Sequence, residues 1–182
     1  PAMLERDRTV LLVIDIQDVL LPKDASRRDA FLDQIEKLVR AAHVLEVPVL
    51  VTEQNAERLG TTNERIAEAL GSAPRFGKLE FGCLANAAVA DALRATGRSQ
   101  ILVVGMETHV CVMQTVFAAL EAGYAPFLVR DAVASMQVLD YHAGIDRMAR
   151  AGAEIVTVQM AIFEMLREAG TPLFREMLPL LK

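Results

Sequence analysis

The stretch Gln100–Asp131, "QILVVGMETHVCVMQTVFAALEAGYAPFLVRD", decides the fold. It opens on an apolar run, Gln100–Val104, turns through a few polar residues, and keeps helical spacing from Thr108 to Ala122. It then meets Gly123 and a second apolar run, Ala125–Val129. A short continuous apolar run bounded by turn residues reads as a strand covered on both faces, and a glycine after a helical segment is a stop signal. Strand, helix, strand in one direction is the crossover unit of a parallel sheet.

The same alternation extends to both ends of the chain. Further strands are expected at Thr9–Ile14, Val47–Val51, Arg75–Lys78 and Glu154–Val158, which makes six with the two above. Helices are expected at Asp29–Leu45, Thr62–Leu70, Ala85–Thr96 and Val138–Ala151. Gly71, Gly97 and Gly152 stand where helices should stop. The mixed-charge cluster "DASRRD" (24–29) reads as a solvated helix start, and "TPLFREMLPLLK" (171–182) as a final amphipathic segment with Pro172 in its first turn. With no linker or repeat, residues 1–182 are expected to form one three-layer α/β/α domain. Its doubly wound six-stranded parallel sheet should have the order 3-2-1-4-5-6.

Composition supports a chain that folds on its own core. Of the 182 residues 53% are hydrophobic and none is Trp, so the interior should be aliphatic. The net charge of −5 opposes a phosphate backbone or an anionic membrane, so neither is an expected partner. The apolar runs fall far short of the ~20 residues that span a bilayer, and two cysteines make a poor disulfide framework. A soluble protein of a reducing cytoplasm is the expectation.

In the order 3-2-1-4-5-6 the direction of winding reverses between strands one and four, and ligands bind at the carboxyl ends of the strands there. Strand one ends in "VIDIQD" and delivers Asp15; strand four runs into "GMETHVC" and delivers Cys111. At an ordinary pKa of ~8.5 only a few per cent of a thiol is ionised at pH 7. With Thr108 capping its helix, Cys111 lies in the first turn. The dipole there is worth about 0.3–1 kcal/mol, less than one pKa unit. A nearby base or cation is therefore needed, and Asp15 in turn needs a partner against burial. Lys78, flanked by apolar and glycine residues in "PRFGKLEFGCL", is the candidate: the base takes the thiol proton while the ammonium keeps the acid charged and favours the thiolate.

The segments "VLLVIDIQDVLL", "VPVLVTEQNAERLGTT", "GKLEFGCL", "ILVVGMETHVCVMQTVFAALEAGYAPFLVRDAVAS" and "TPLFREMLPLLK" together resemble the isochorismatase-like cysteine hydrolases, closest to the branch of isochorismatase domain-containing proteins. The resemblance implies Cys111 as nucleophile, Asp15 as general base and Lys78 as the cation of the triad, with a thioester intermediate. It also implies a non-proline cis peptide at Met106–Glu107 and an oxyanion hole from the N–H groups of Glu107 and Cys111. Relatives associate through apolar helix faces and C-terminal segments, so a homo-oligomer is expected.

Where nicotinamidases carry an Asp-x-His metal motif, this chain reads "VTEQN", so no metal and no cofactor is expected. Gln17, Gln54 and Phe81 are the candidates for touching substrate; each of the two glutamines serves equally well as a backbone support, and Phe81 reads somewhat more as core than as pocket wall. Cys83 reads as a small buried hydrophobe. His109 lies two residues from Cys111, a spacing that points it to another helix face. Asp131 reads as a capping or inter-subunit residue. The function expected is hydrolysis of a small amide, ester or related C–N or C–O bond. The alternative is a non-catalytic binding or assembly module on the same fold; a redox thiol protein would lack a second cysteine near Cys111 in sequence.

Overall fold

Every residue of β1 (Thr9–Ile14) is buried, as a strand covered on both faces requires. The computed structural model describes residues 1–182. It pairs β1 in parallel with β2 (Val49–Gln54) on one side and with β4 (Gln100–Met106) on the other. β3 (Arg75–Lys78), β5 (Ala125–Ala134) and β6 (Glu154–Val156) complete an all-parallel sheet of order 3-2-1-4-5-6.

Alternation along the strands divides the core. Leu11 and Val13 face one layer, formed by α1 (Ala25–Val44), α3 (Glu64–Leu70), α7 (Val158–Leu166) and α8 (Pro172–Met177). Val10, Leu12 and Ile14 face the other, formed by α4 (Ala87–Ala95), α5 (Met113–Glu121) and α6 (Val138–Ala151). A single turn, α2 (Ala56–Leu59), follows β2. The C-terminal segment docks on its own body, with Met177 fully buried and Leu173, Phe174, Leu180 and Leu181 against the larger core. No helix is long and apolar enough to cross a membrane.

Four elements differ in their bounds from expectation for identifiable reasons. β2 starts after Pro48, which has no N–H for the ladder, and runs on into the polar residues Thr52, Glu53 and Gln54. β5 is ten residues long: it bulges at the exposed Arg130–Asp131 and resumes its pairing at Val133 with Gly105. β6 stops at Val156, and the residues read as its end begin α7, whose first turn is capped by the Thr157 hydroxyl accepting from the Met160 N–H. α1 begins four residues before the expected start, with the Asp24 carboxylate accepting from the Arg27 N–H.

Gly105 shows how tightly the two central strands meet. A Cβ there would lie 2.0 Å from the Ile14 carbonyl oxygen, and its φ of +124° is glycine territory.

Candidate active site

The carboxyl ends of β1, β3 and β4 bring Asp15, Lys78 and the Cys111 turn together. Asp15 follows the last residue of β1 with φ of +53°, which lifts its side chain out of the strand's alternation. Its carboxylate is held at both oxygens: Oδ2 accepts from Lys78 Nζ at 2.9 Å and Oδ1 from the Thr52 hydroxyl at 2.8 Å. The register that pairs Ile14 with Thr52 puts that hydroxyl there.

Lys78 ends β3 with its side chain wholly buried. Besides Asp15, its ammonium meets Gln54 Oε1 at 2.6 Å and the carbonyls of Glu80 and Phe81 at 3.0 Å each. Burial pulls its pKa down, but the charge of Asp15, with smaller contributions from the two thiols, outweighs it and the net direction is up. The lysine is therefore a fixed cation.

Cys111 lies in a π-helical turn, Thr108–Val112, that feeds α5, and is 7% exposed. Its thiol is pushed up to about 12, first by burial, then by the Asp15 charge, while Lys78 pulls the other way. The ammonium that sequence reading expected to favour the thiolate is outweighed by burial and by the Asp15 charge. The resting sulfur holds its proton at pH 7.

The cap expected of Thr108 is absent. Thr108 is the first residue of the turn rather than its cap, and its buried hydroxyl has no partner. The Met106–Glu107 peptide bond is cis, as the resemblance implies. No carbonyl accepts from the Glu107 N–H, while the Glu107 carboxylate accepts from the Met136 N–H at 2.9 Å.

The three residues expected at the substrate sit differently from one another. Gln17 is fully buried and braces backbone: its amide donates to the carbonyls of Gln54 and Gly60, and its oxygen accepts from the Gln54 N–H. Both amide hydrogens are engaged, so Gln17 has none to offer a substrate. Gln54 donates to the Leu79 carbonyl and accepts from Lys78, so it positions the cation. Phe81 is 55% exposed rather than core, and its carbonyl accepts from Lys78. Glu53, in the stretch that replaces a metal motif, accepts from the Thr62 N–H and hydroxyl.

Two threonines and Cys83 form a layer beneath these groups that sequence reading missed. The Thr115 hydroxyl donates to the Cys111 carbonyl at 2.6 Å and accepts from the Cys83 N–H at 2.9 Å. Thr52, bound to Asp15, also lies 3.8 Å from Cys83 Sγ. Cys83 is fully buried and its thiol is pushed up to about 11, first by burial. His109 turns away from Cys111, with Nδ1 2.9 Å from Ser135 Oγ and Nε2 3.6 Å from Asp140. Asp131 caps α7, accepting from the Val158 N–H.

The isochorismatase domain family model matches residues 9–160. The chain is 34% identical over 178 residues to a secreted isochorismatase effector, Isc1, of Phytophthora sojae (strain P6497), covering 96% of this chain and 84% of that protein. It is 30% identical over 183 residues to isochorismatase domain-containing protein 2A of Mus musculus, covering 97% and 84%. Among solved structures, the MAR1 ribonuclease from Caenorhabditis elegans superposes with a TM-score of 0.89 at 31% identity, over 99% of this chain and 92% of that one. The YcaC product of Escherichia coli, described as an octameric hydrolase of unknown specificity, shares the fold with a TM-score of 0.87 at 23% identity, over 100% and 88%. By sequence and by fold, the chain belongs to the isochorismatase family.

Proposed function

We propose that the protein is a cysteine-dependent hydrolase of a small amide, ester or related C–N or C–O bond. The observation that carries the reading is a fully buried Lys78–Asp15 ion pair at 2.9 Å, both of whose charges act on the thiol of Cys111. Because that thiol is protonated at rest, sulfur attacks the substrate carbonyl as Asp15 takes its proton. The oxyanion of the tetrahedral adduct faces the N–H groups of Glu107 and Cys111. Collapse forms a thioester and expels the leaving group, which takes the proton from Asp15. Water then attacks the thioester, Asp15 again accepts a proton, and release of the acid restores the thiol. Lys78 stays charged throughout and holds the Asp15 carboxylate in place between proton transfers.

The near-sealed sulfur favours a small substrate, with the exposed Phe81 ring available to meet it. The nucleophile has to stay reduced, and both cysteines are free thiols, which supports a cytoplasmic setting. A homo-oligomer is supported by exposed apolar side chains such as Leu139, Met160 and Phe163.

The test is a hydrolysis screen over small amides and esters, with RNA as a further arm, against Cys111→Ala. We expect turnover of at least one carbonyl substrate, a burst of bound acyl group at Cys111, and loss of both in the variant. Turnover that survives Cys111→Ala, or no turnover with any substrate, would overturn the covalent reading in favour of a non-catalytic module or another chemistry.

A further inference from the structure

A second concavity lies where the start of α1, the carboxyl end of β5 and the start of α6 meet. None of Asp15, Lys78 and Cys111 lines it. Its volume of about 390 Å³ falls in the range of roughly 300–1,000 Å³ typical of small-molecule sites. Phe31 and Val133 give it an apolar floor, and four polar side chains edge it: Arg27, Gln34, Arg130 and His142.

These four are short of partners. Neither guanidinium has a carboxylate oxygen within 4.0 Å; the ion pairs of the chain use other arginines. Arg27 engages a single N–H, donated to the Ser135 carbonyl at 3.0 Å. The amide of Gln34 and the ring nitrogens of His142 make no hydrogen bond, and the His142 ring stands edge-on to Tyr141 at 5.1 Å. One carboxylate, Asp131, also faces the cavity, but it accepts from the N–H of Val158 and sits against the positive end of α7. On a chain of net charge −5, two unpaired guanidiniums over an apolar floor form a local positive site. An arginine presents a planar fork of donors that matches carboxylate and phosphate oxygens.

We propose that this cavity binds a small organic anion: a carboxylate or phosphate ester carried on an apolar body about the size of one ring. The anionic group meets Arg27 and Arg130, the apolar body lies on Phe31 and Val133, and Gln34 and His142 supply further donors. The proposal is independent of the hydrolase reading.

Isothermal titration of the full chain at pH 7 with benzoate, phenyl phosphate and neutral benzyl alcohol tests it. We expect saturable binding of at least one anion and none of the alcohol over the same range; the anion that binds more tightly identifies the group recognised. Arg27→Ala and Arg130→Ala should each weaken binding about tenfold or more, the loss of a charge-assisted hydrogen bond. Arg94→Ala, elsewhere on the surface, and Cys111→Ala should leave it unchanged. No saturable binding of either anion, equal binding of the alcohol, retention in both arginine variants, or loss in Cys111→Ala would overturn the proposal.

Discussion

The crevice between β1 and β4 and the cavity beside β5 are built on opposite rules. In the crevice each charged atom has a partner: Lys78 meets four acceptors, and each oxygen of Asp15 a donor. In the cavity the charged atoms lack counter-ions and face solvent. Saturation in a buried setting fixes where charge resides and makes every member structurally necessary. Donors left open at a surface contribute little to folding and remain available to a ligand. The two regions should therefore respond in opposite ways to mutation.

The largest effect is expected where the crevice meets the backbone. Gly105→Ala would set a methyl group 2.0 Å from the Ile14 carbonyl oxygen, an atom that cannot retreat without parting β1 from β4. We expect loss of more than about 4 kcal/mol, read as failure to recover folded protein or as a collapsed urea midpoint. A variant that unfolds like the parent would show that the two strands are not so closely apposed.

Next comes the ion pair. Lys78→Met leaves Asp15 charged and buried without its cation, a loss of about 3–5 kcal/mol. The double variant Lys78→Met with Asp15→Asn should recover part of it, since no lone charge remains. Urea denaturation at pH 7 reads both, and an additive double variant would break the claim that the two residues act as one unit.

Alkaline pH should weaken the crevice through its thiols. Unfolded thiols lose protons near pH 9, whereas Cys83 and Cys111 hold theirs to about 11 and about 12. Between those limits the folded chain binds more protons, so stability falls as pH rises, by at most about 1.4 kcal/mol per pH unit for each thiol. Lys78, also raised, acts in the same direction. Cys83→Ala should flatten the fall. Iodoacetamide should alkylate Cys111 before the fully enclosed Cys83, at a rate that climbs about tenfold per pH unit from 7 to 9 without levelling. A plateau near neutrality would mean a preformed thiolate.

Thr52→Val is a smaller cut, about 1–3 kcal/mol, because it strips the donor from one oxygen of Asp15. Thr52→Ser should restore most of it. That threonine also marks the limit of what sequence conveys. Asp15 and Lys78 were legible because a charge between apolar neighbours is unusual wherever it occurs, and Cys111 because a turn between strand and helix at a winding reversal is a ligand position. Thr52 fell just past the expected strand and Thr115 inside an expected helix, and neither stood out; their meaning comes from register, which only the paired sheet supplies. The glutamines are similar: the carbonyls of Gly60 and Leu79 that engage Gln17 and Gln54 come from loops whose course no local pattern encodes. The start of α7 was masked by the β-branched run of β6, and the bulge in β5 by two polar residues that imitate a strand end.

The smallest expected effect is the sharpest contrast with the crevice. Arg130 sits in the β5 bulge, is exposed, and has no carboxylate within reach. Its backbone carbonyl accepts from the Tyr141 hydroxyl at 2.6 Å, and that survives truncation of the side chain; the guanidinium also acts on that hydroxyl, pulling its pKa down against the larger effect of burial. Arg130→Ala should therefore shift stability by no more than about 0.5 kcal/mol in either direction, measured in the same urea series that registers Lys78→Met at several times that size. A stability loss above about 1 kcal/mol would mean that the guanidinium is already engaged within the chain, and the cavity would then resemble the crevice rather than oppose it.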